Sequence, residues 1–161
     1  RLLNAREVKT EAFSRQIAFN AIPQIDAFQD NDYTKEEMKM VWETQKIMGD
    51  DSILVNATAV RVPVFYGHAE AIHLETRAPI DAEQVKQLLA DAPGVTLYEG
   101  AEQFPTQVSS ASGNDSVHVG RVRNDITHPC GLNLWVVSDN IRKGAATNSI
   151  QIAETLIQDY L

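Results

Sequence analysis

From Asn31 to Asp51 the chain reads "NDYTKEEMKMVWETQKIMGDD", and Met38, Val41, Trp42 and Gln45 recur on one helical face. Thr34 followed three residues later by Glu37 predicts a capping box, and Gly49 predicts the stop. The next run, "SILVNATAVRVPVFYG", is rich in β-branched residues and predicts a long strand ending near Pro63 to Gly67. "AEAIHLETRA" alternates and predicts a second strand paired with it. "DAEQVKQLLADA" predicts a helix with Asp81 as cap and Gln84 as its box partner. "GVTLYE" predicts a short strand, "SSASGNDS" a loop, and "VHVGRVRND" and "LNLWVVSD" two further strands. A final amphipathic helix is predicted over "NIRKGAATNSIQIAETLIQDYL", where Ile150, Ala153, Leu156 and Ile157 keep helical spacing. "IAFNAIPQIDAF", before the first helix, is apolar and polar by turns and predicts an irregular connector.

The order helix, two strands, helix, three strands, helix defines an α+β class, a mixed β-sheet covered by helices on one face. No internal repeat, low-complexity tract or Gly-rich dinucleotide fingerprint interrupts it. The chain has 161 residues, a length that suits a single domain spanning 1–161. It carries 14 Lys plus Arg against 22 Asp plus Glu, a net charge of −8. An acidic chain without a basic run argues against nucleic acid as a partner. No apolar run approaches the roughly 18 residues of a membrane helix, so no membrane span is expected. The single cysteine, Cys130, excludes an internal disulfide and fits a reducing cytoplasm. The chain opens at Arg1 in the polar segment "RLLNAREVKTEAFSRQ", which we read as part of a longer protein.

Candidate chemistry sits in a few places. Glu36 and Lys39 stand three apart on the first helix and share a face, either as a surface ion pair or as an anion and a cation presented to a zwitterionic or phosphorylated ligand. Arg61 shares a strand face with Ala57, Ala59 and Pro63. A sheltered guanidinium requires a partner, either a carboxylate of the core or an anionic ligand held bidentately. His68 follows Gly67, and an imidazole exchanges a proton near neutrality; a structural role is the plainer alternative. His73, His118 and His128 offer no ligand spacing, and no metal site is expected. Cys130, in the turn "THPCGLN", lacks an activating neighbour and reads as non-catalytic. Asn140, in "DNIRKGAATN", either reads a ligand amide or simply opens the last helix.

Taken in order, "IAFNAIPQID", "YTKEEMKM", "RVPVFYGHAEA", "VGRVRND" and "LWVVSDNIRKGAATNSIQIAE" resemble the C-terminal catalytic and dimerisation domain of the aspartate-semialdehyde dehydrogenase family. That family reduces β-aspartyl phosphate to aspartate semialdehyde with NADPH and releases phosphate, a step toward lysine, methionine and threonine. A cysteine thiolate attacks the acyl phosphate, and a thioester is then reduced. The resemblance implies that Arg61 holds the substrate α-carboxylate, Glu36 the α-ammonium and Lys39 the phosphate. It implies His68 as the acid/base, Asn140 as a contact to the nicotinamide of NADP, and a homodimer formed through this domain. The fold expected is that of the C-terminal domain of glyceraldehyde-phosphate-dehydrogenase-like enzymes.

The family's nucleophilic cysteine and its NADP-binding Rossmann domain have no counterpart in this sequence, so the chain alone is expected to be inactive. Two other functions are compatible with the residues. A related acyl-phosphate reductase acting on an acetylated amino acid would have no ammonium for Glu36. A stand-alone, non-enzymatic dimerisation module would explain the missing nucleophile directly.

Overall fold

Helix α1, Lys35–Met48, starts and stops where its capping residues place it. The Thr34 hydroxyl accepts from the Glu37 N–H at 3.3 Å, and the Glu37 carboxylate accepts from the Thr34 N–H at 2.7 Å. Gly49 ends the helix in the left-handed region, at φ 64, which costs a glycine little. The computed structural model describes residues 9–100 and 102–161. The beginning of the polar opening segment, Arg1 to Val8, lies outside the described residues. The chain divides into two units, Arg1–Pro63 and Val64–Leu161.

In the first unit the strand expected over Ser52–Gly67 does not form a ladder. From Ile53 to Arg61 the chain is extended and its exposure alternates residue by residue, as the sequence pattern requires. Side chains of α1 satisfy two of its backbone groups. Glu37 Oε1 accepts from the Ala59 N–H at 2.8 Å, and Gln45 Nε2 donates to the Ile53 carbonyl at 2.9 Å. Only Arg61 makes a backbone bridge, exchanging hydrogen bonds of 2.9 and 2.8 Å with Ile22. Alternation therefore reports one-sided burial here, and a helix rather than a neighbouring strand supplies the partner groups. Glu37, 7% exposed, is the most buried residue of the helix, whereas Trp42, expected on the sheltered face, is 51% exposed.

The second unit holds a four-stranded mixed sheet. Its strands are β1 (His68–Glu75), β2 (Val95–Leu97), β3 (Val117–Asn124) and β4 (Gly131–Ser138), in the order β1-β4-β3-β2. β4 pairs antiparallel with β1 and β3, and β2 runs parallel to β3. The partner expected for β1 is thus replaced by β4, from His68 opposite Ser138 to Glu75 opposite Gly131. One face carries Leu74, Val119, Val122, Leu132, Leu134 and Val136 and packs against Ala82, Val85 and Leu89 of α2, Ala82–Ala90. Asp81 and Gln84 cap that helix reciprocally, as their spacing predicts.

The other face is covered near β3 and β4 by the segment after β2. There Trp135 Nε1 donates to the Pro105 carbonyl at 2.9 Å, and Pro105 sits so close to Gly120 that a Cβ there would lie 2.6 Å from its ring. The start of the expected loop "SSASGNDS" is a π-helical turn, Gln107–Ala111, capped by Thr106. The last helix, α3, begins at Thr147 and runs to Tyr160, later than its sequence pattern suggests. Residues Arg142–Ala146 form a π-helical turn instead, with the Gly144 N–H bonded to the Asp139 carbonyl and the Ala146 N–H to the Ile141 carbonyl. Among the described residues no helix is long and apolar enough to cross a membrane.

Hydrogen bonds from the Thr34 and Ala59 N–H groups lower the Glu37 pKa below its ordinary 4.5. Its contribution to stability is then complete above that ordinary value and is lost as pH falls through the depressed folded one. Thermal melting between about pH 6 and pH 3 should show an acid limb in the wild type that Glu37→Gln flattens, with a lower melting temperature for the variant at the upper end. An unchanged acid limb in Glu37→Gln would place the acid sensitivity elsewhere.

Candidate functional site

The first unit holds three of the predicted groups. Arg61 is half-buried on the extended segment, with its guanidinium carbon 5.0 Å from the centroid of the Phe13 ring. It lines a cleft of about 160 Å³ with Ser14, Ile22, Gln24 and Asp26. Among the described residues no carboxylate forms a salt bridge with Arg61. The aromatic face orients the guanidinium while leaving its five N–H donors available in the plane. The core-carboxylate alternative for Arg61 thus has no partner among the described residues.

Glu36 and Lys39 do meet, with Lys39 Nζ 3.2 Å from Glu36 Oε2, as the helical spacing predicts. Glu36 raises the Lys39 pKa first by this hydrogen bond and then by its charge; Glu43 and Asp26 add smaller contributions. Asp26 is therefore shared between the surroundings of Lys39 and the Arg61 cleft. It adopts φ 66, which an Asp tolerates, and its Oδ1 accepts from the Ala27 N–H at 2.7 Å. Asp26 escapes a reading by spacing because its proximity to Lys39 and Arg61 is set by the irregular connector.

The second unit holds the other two. His68 opens β1 instead of closing a strand before it, and its side chain is exposed. Gly67, just before it, donates its N–H to Asn140 Oδ1 at 2.9 Å. Asn140 follows the end of β4, and His68 pairs with Ser138 on that strand, so register brings the two predicted residues to one corner of the sheet. The turn carrying Asn140 is gripped by Asp139, which is 4% exposed. The Asp139 carboxylate accepts from the N–H groups of Gly113, Ile141 and Arg142 at 2.8, 2.9 and 3.0 Å. These bonds, Arg142 and Gly113 foremost, lower its pKa.

A second brace joins the same turn to the loop before β3. Arg142 donates twice to Asp115, at 2.8 and 2.9 Å, and the Thr147 hydroxyl donates to the same carboxylate at 2.7 Å. The Arg142 hydrogen bond is the main reason the Asp115 pKa falls to about 2. Asp139 and Asp115 were not visible as site-building residues in the sequence. The signal available was the Asp-Asn pair at a strand end, where an Asp side chain favours an Asx-type turn.

The remaining histidines separate by environment. His73 Nε2 lies 2.7 Å from Asp125 Oδ2 and links β1 to the β3–β4 turn. His118, which offers no ligand spacing in the sequence, is only 3% exposed, and burial lowers its pKa. Cys130 lies just before Gly131, at the opposite end of the β1–β4 ladder from His68. Seven residues of strand rise put roughly 20–25 Å between those ends, far beyond proton-transfer reach. Among the described residues no group of three or more His, Cys, Asp or Glu side chains could hold a metal ion.

Residues 1–143 match the family described as "Semialdehyde dehydrogenase, dimerisation domain", and the chain belongs to that family. It is 68% identical over 160 residues to Aspartate-semialdehyde dehydrogenase 2 of Vibrio cholerae, a match covering 99% of this chain and 47% of that protein. The chain thus spans about half the length of the curated relatives it matches. A crystal structure of aspartate semialdehyde dehydrogenase II from Vibrio cholerae complexed with ASA superposes with a TM-score of 0.94 at 68% identity, over 99% of this chain and 47% of that one. A Candida albicans aspartate semialdehyde dehydrogenase with NADP shares 29% identity and a TM-score of 0.71, over 88% of this chain and 45% of that one.

Among the described residues the turn carrying Asn140 shows no tight glycine cradle for a dinucleotide. The Asn140 amide has its oxygen committed to Gly67, leaving only its N–H₂ to donate. Gly144, in the same turn, would accept a Cβ with its nearest neighbour, the Asp139 carbonyl, at an ordinary 3.7 Å, so it forms no tight cradle.

Gly67 is a different case. Its φ is 87, and a Cβ there would meet the Ser138 carbonyl at 3.1 Å and Gln107 side-chain carbons at 3.3 Å. Gly67→Ala should cost about 1–3 kcal/mol, the range for a non-glycine residue held in a left-handed conformation. Chemical denaturation of wild type and variant measures this; equal midpoints would mean that the turn relaxes freely.

Proposed function

We propose that this chain supplies the substrate-binding, proton-handling and dimer-forming half of an aspartate-semialdehyde dehydrogenase. The reaction is the NADPH-dependent reduction of β-aspartyl phosphate to aspartate semialdehyde and phosphate, within lysine, methionine and threonine biosynthesis in the cytoplasm. One observation carries this reading: a TM-score of 0.94 at 68% identity, over 99% of the chain, to an enzyme of that name complexed with ASA. The Arg61 guanidinium adds a physical reason: among the described residues no carboxylate pairs with it, and a planar fork suits a bidentate carboxylate ligand.

In this reading Arg61 takes the α-carboxylate. Lys39 presents a point cation to the phosphate, and Glu36 presents an anion to the α-ammonium. Because these two pair with each other in the structure, ligand binding exchanges one internal ion pair for two external ones. His68 takes the proton of the attacking thiol, which lies outside this chain, as the carbon–sulfur bond forms and phosphate departs. NADPH, when bound, would supply a hydride to the acyl carbon; the carbon–sulfur bond then breaks, releasing the semialdehyde and returning the thiol. Its binding belongs to an N-terminal Rossmann domain of the complete enzyme. Cys130 stands too far along the ladder from His68 to substitute for the thiol, so this chain alone should not turn over substrate.

Steady-state kinetics on the complete enzyme test the assignments. Arg61→Lys keeps charge but loses the fork, and should cost about 2–4 kcal/mol in kcat/KM, mainly as a raised KM for the acyl phosphate. His68→Asn should lower kcat by about 10² to 10⁴ with binding less affected. Two well-folded variants with wild-type kinetics would remove both residues from the site.

The homodimer is tested separately. Sedimentation of this chain at micromolar concentration should give twice the monomer mass, and a monomer at every concentration would defeat the dimer reading.

A further inference from the structure

We infer that Glu37 is a positioning residue for substrate recognition, holding Arg61 at a fixed separation from the Glu36–Lys39 pair. The inference rests on the substrate-binding roles proposed for those three residues. Glu37 itself is 7% exposed, whereas its helix neighbours Glu36 and Lys39 stay partly open to solvent. A carboxylate withdrawn from water must have its oxygens paired. Those of Glu37 are divided between two segments. Oε2 accepts from the Thr34 N–H at 2.7 Å, at the start of α1, and Oε1 accepts from the Ala59 N–H at 2.8 Å, on the extended segment. Ala59 is 6% exposed, and Arg61, two residues on, projects from the same face.

Backbone contacts close the circuit. Arg61 exchanges hydrogen bonds with Ile22, and the connector that follows Ile22 returns to α1, where the Lys35 N–H donates to the Ala27 carbonyl at 2.8 Å. Gln45 ties the extended segment to α1 farther back, at Ile53. Among the described residues the Glu37–Ala59 bond is the tie to α1 that falls closest in sequence to Arg61. A ligand gripped by Arg61 at its carboxylate, and by Glu36 and Lys39 at its ammonium and phosphate, spans both elements. Its binding then depends on how firmly their separation is held. A carboxylate suits this task because it accepts on both oxygens. Glutamine would offer one acceptor and turn its N–H₂ toward the other N–H, and alanine would offer none.

The test is steady-state kinetics of the complete enzyme, with thermal melts establishing that each variant is folded at the assay temperature. Glu37→Ala removes both acceptors. It should raise the KM for the acyl phosphate about 10- to 100-fold, with kcat within about fivefold and the KM for NADPH within about twofold of wild type. Glu37→Gln keeps one acceptor and should show a rise of only about 3- to 10-fold; it carries the test if the Ala variant does not fold. In an Arg61→Lys background the effect of Glu37→Ala on that KM should shrink by at least about threefold, because a group without its fork gains less from being placed. A purely structural Glu37 would lower the melting temperature and the share of active enzyme, moving kcat and leaving both KM values alone. Three results overturn the inference: a wild-type KM for the acyl phosphate in the folded variant, an equal rise in both KM values, or full additivity with Arg61→Lys. An Arg61→Lys enzyme with wild-type KM would instead defeat the role proposed for Arg61, so the two failures read differently.

Discussion

A backbone N–H withdrawn from water must find an acceptor, and in each unit of this protein a buried carboxylate answers that requirement. Glu37 accepts from Thr34 and Ala59; Asp139 accepts from Gly113, Ile141 and Arg142. A carboxylate offers several lone pairs and a full charge, so one side chain satisfies donors from segments distant in sequence. Glu37 thereby fastens the extended segment that ends in Arg61. Asp139 shapes the turn that presents Asn140. The placement of Arg61 and of the turn that carries Asn140 depends on these acceptors.

Within the second unit, β4 acts as a ruler. It lies between β1 and β3, so its register fixes the two together. Pairing His68 with Ser138 puts the imidazole at the end of the sheet where Asn140 emerges, and it sends Cys130 to the far end. A slip by one residue would turn Leu74 and Ile72 away from the face where Leu132 and Leu134 meet α2. The core packing that stabilises the sheet therefore also sets which residues meet at the corner beside Gly67.

The first unit achieves placement without a sheet. Its extended segment borrows partners from α1, bridges once to Ile22, and rests its guanidinium on Phe13. A guanidinium stacked on a ring is constrained in plane yet keeps its donors, which suits recognition of a planar anion. Asp26 beside it and the Glu36–Lys39 pair give this surface mixed charge, consistent with a ligand that carries charges of both signs.

Local rules determined much of this protein directly. The Thr34–Glu37 and Asp81–Gln84 boxes, the Gly49 stop, the alternation of β1 and the strand character of β3 and β4 all depend on patterns within a few residues. Periodicity and capping chemistry therefore reveal them. The Glu36–Lys39 contact was legible for the same reason, since helical spacing alone brings the two together. The family resemblance identified the class from ordered motifs. Other features were decided only by tertiary structure. Ile53–Arg61 alternates like a strand, yet among the described residues it pairs only at the Arg61–Ile22 bridge, since period 2 records burial on one side and is silent on what satisfies the backbone. The pairing of β1 with β4, the delayed start of α3 at Thr147, and the roles of Asp26, Asp139 and Asp115 rest on contacts between segments far apart in the chain. The meeting of Gly67 with Asn140 spans 73 positions, and no local pattern encodes a hydrogen bond of that range; it exists because β4 carries Asn140 to the start of β1.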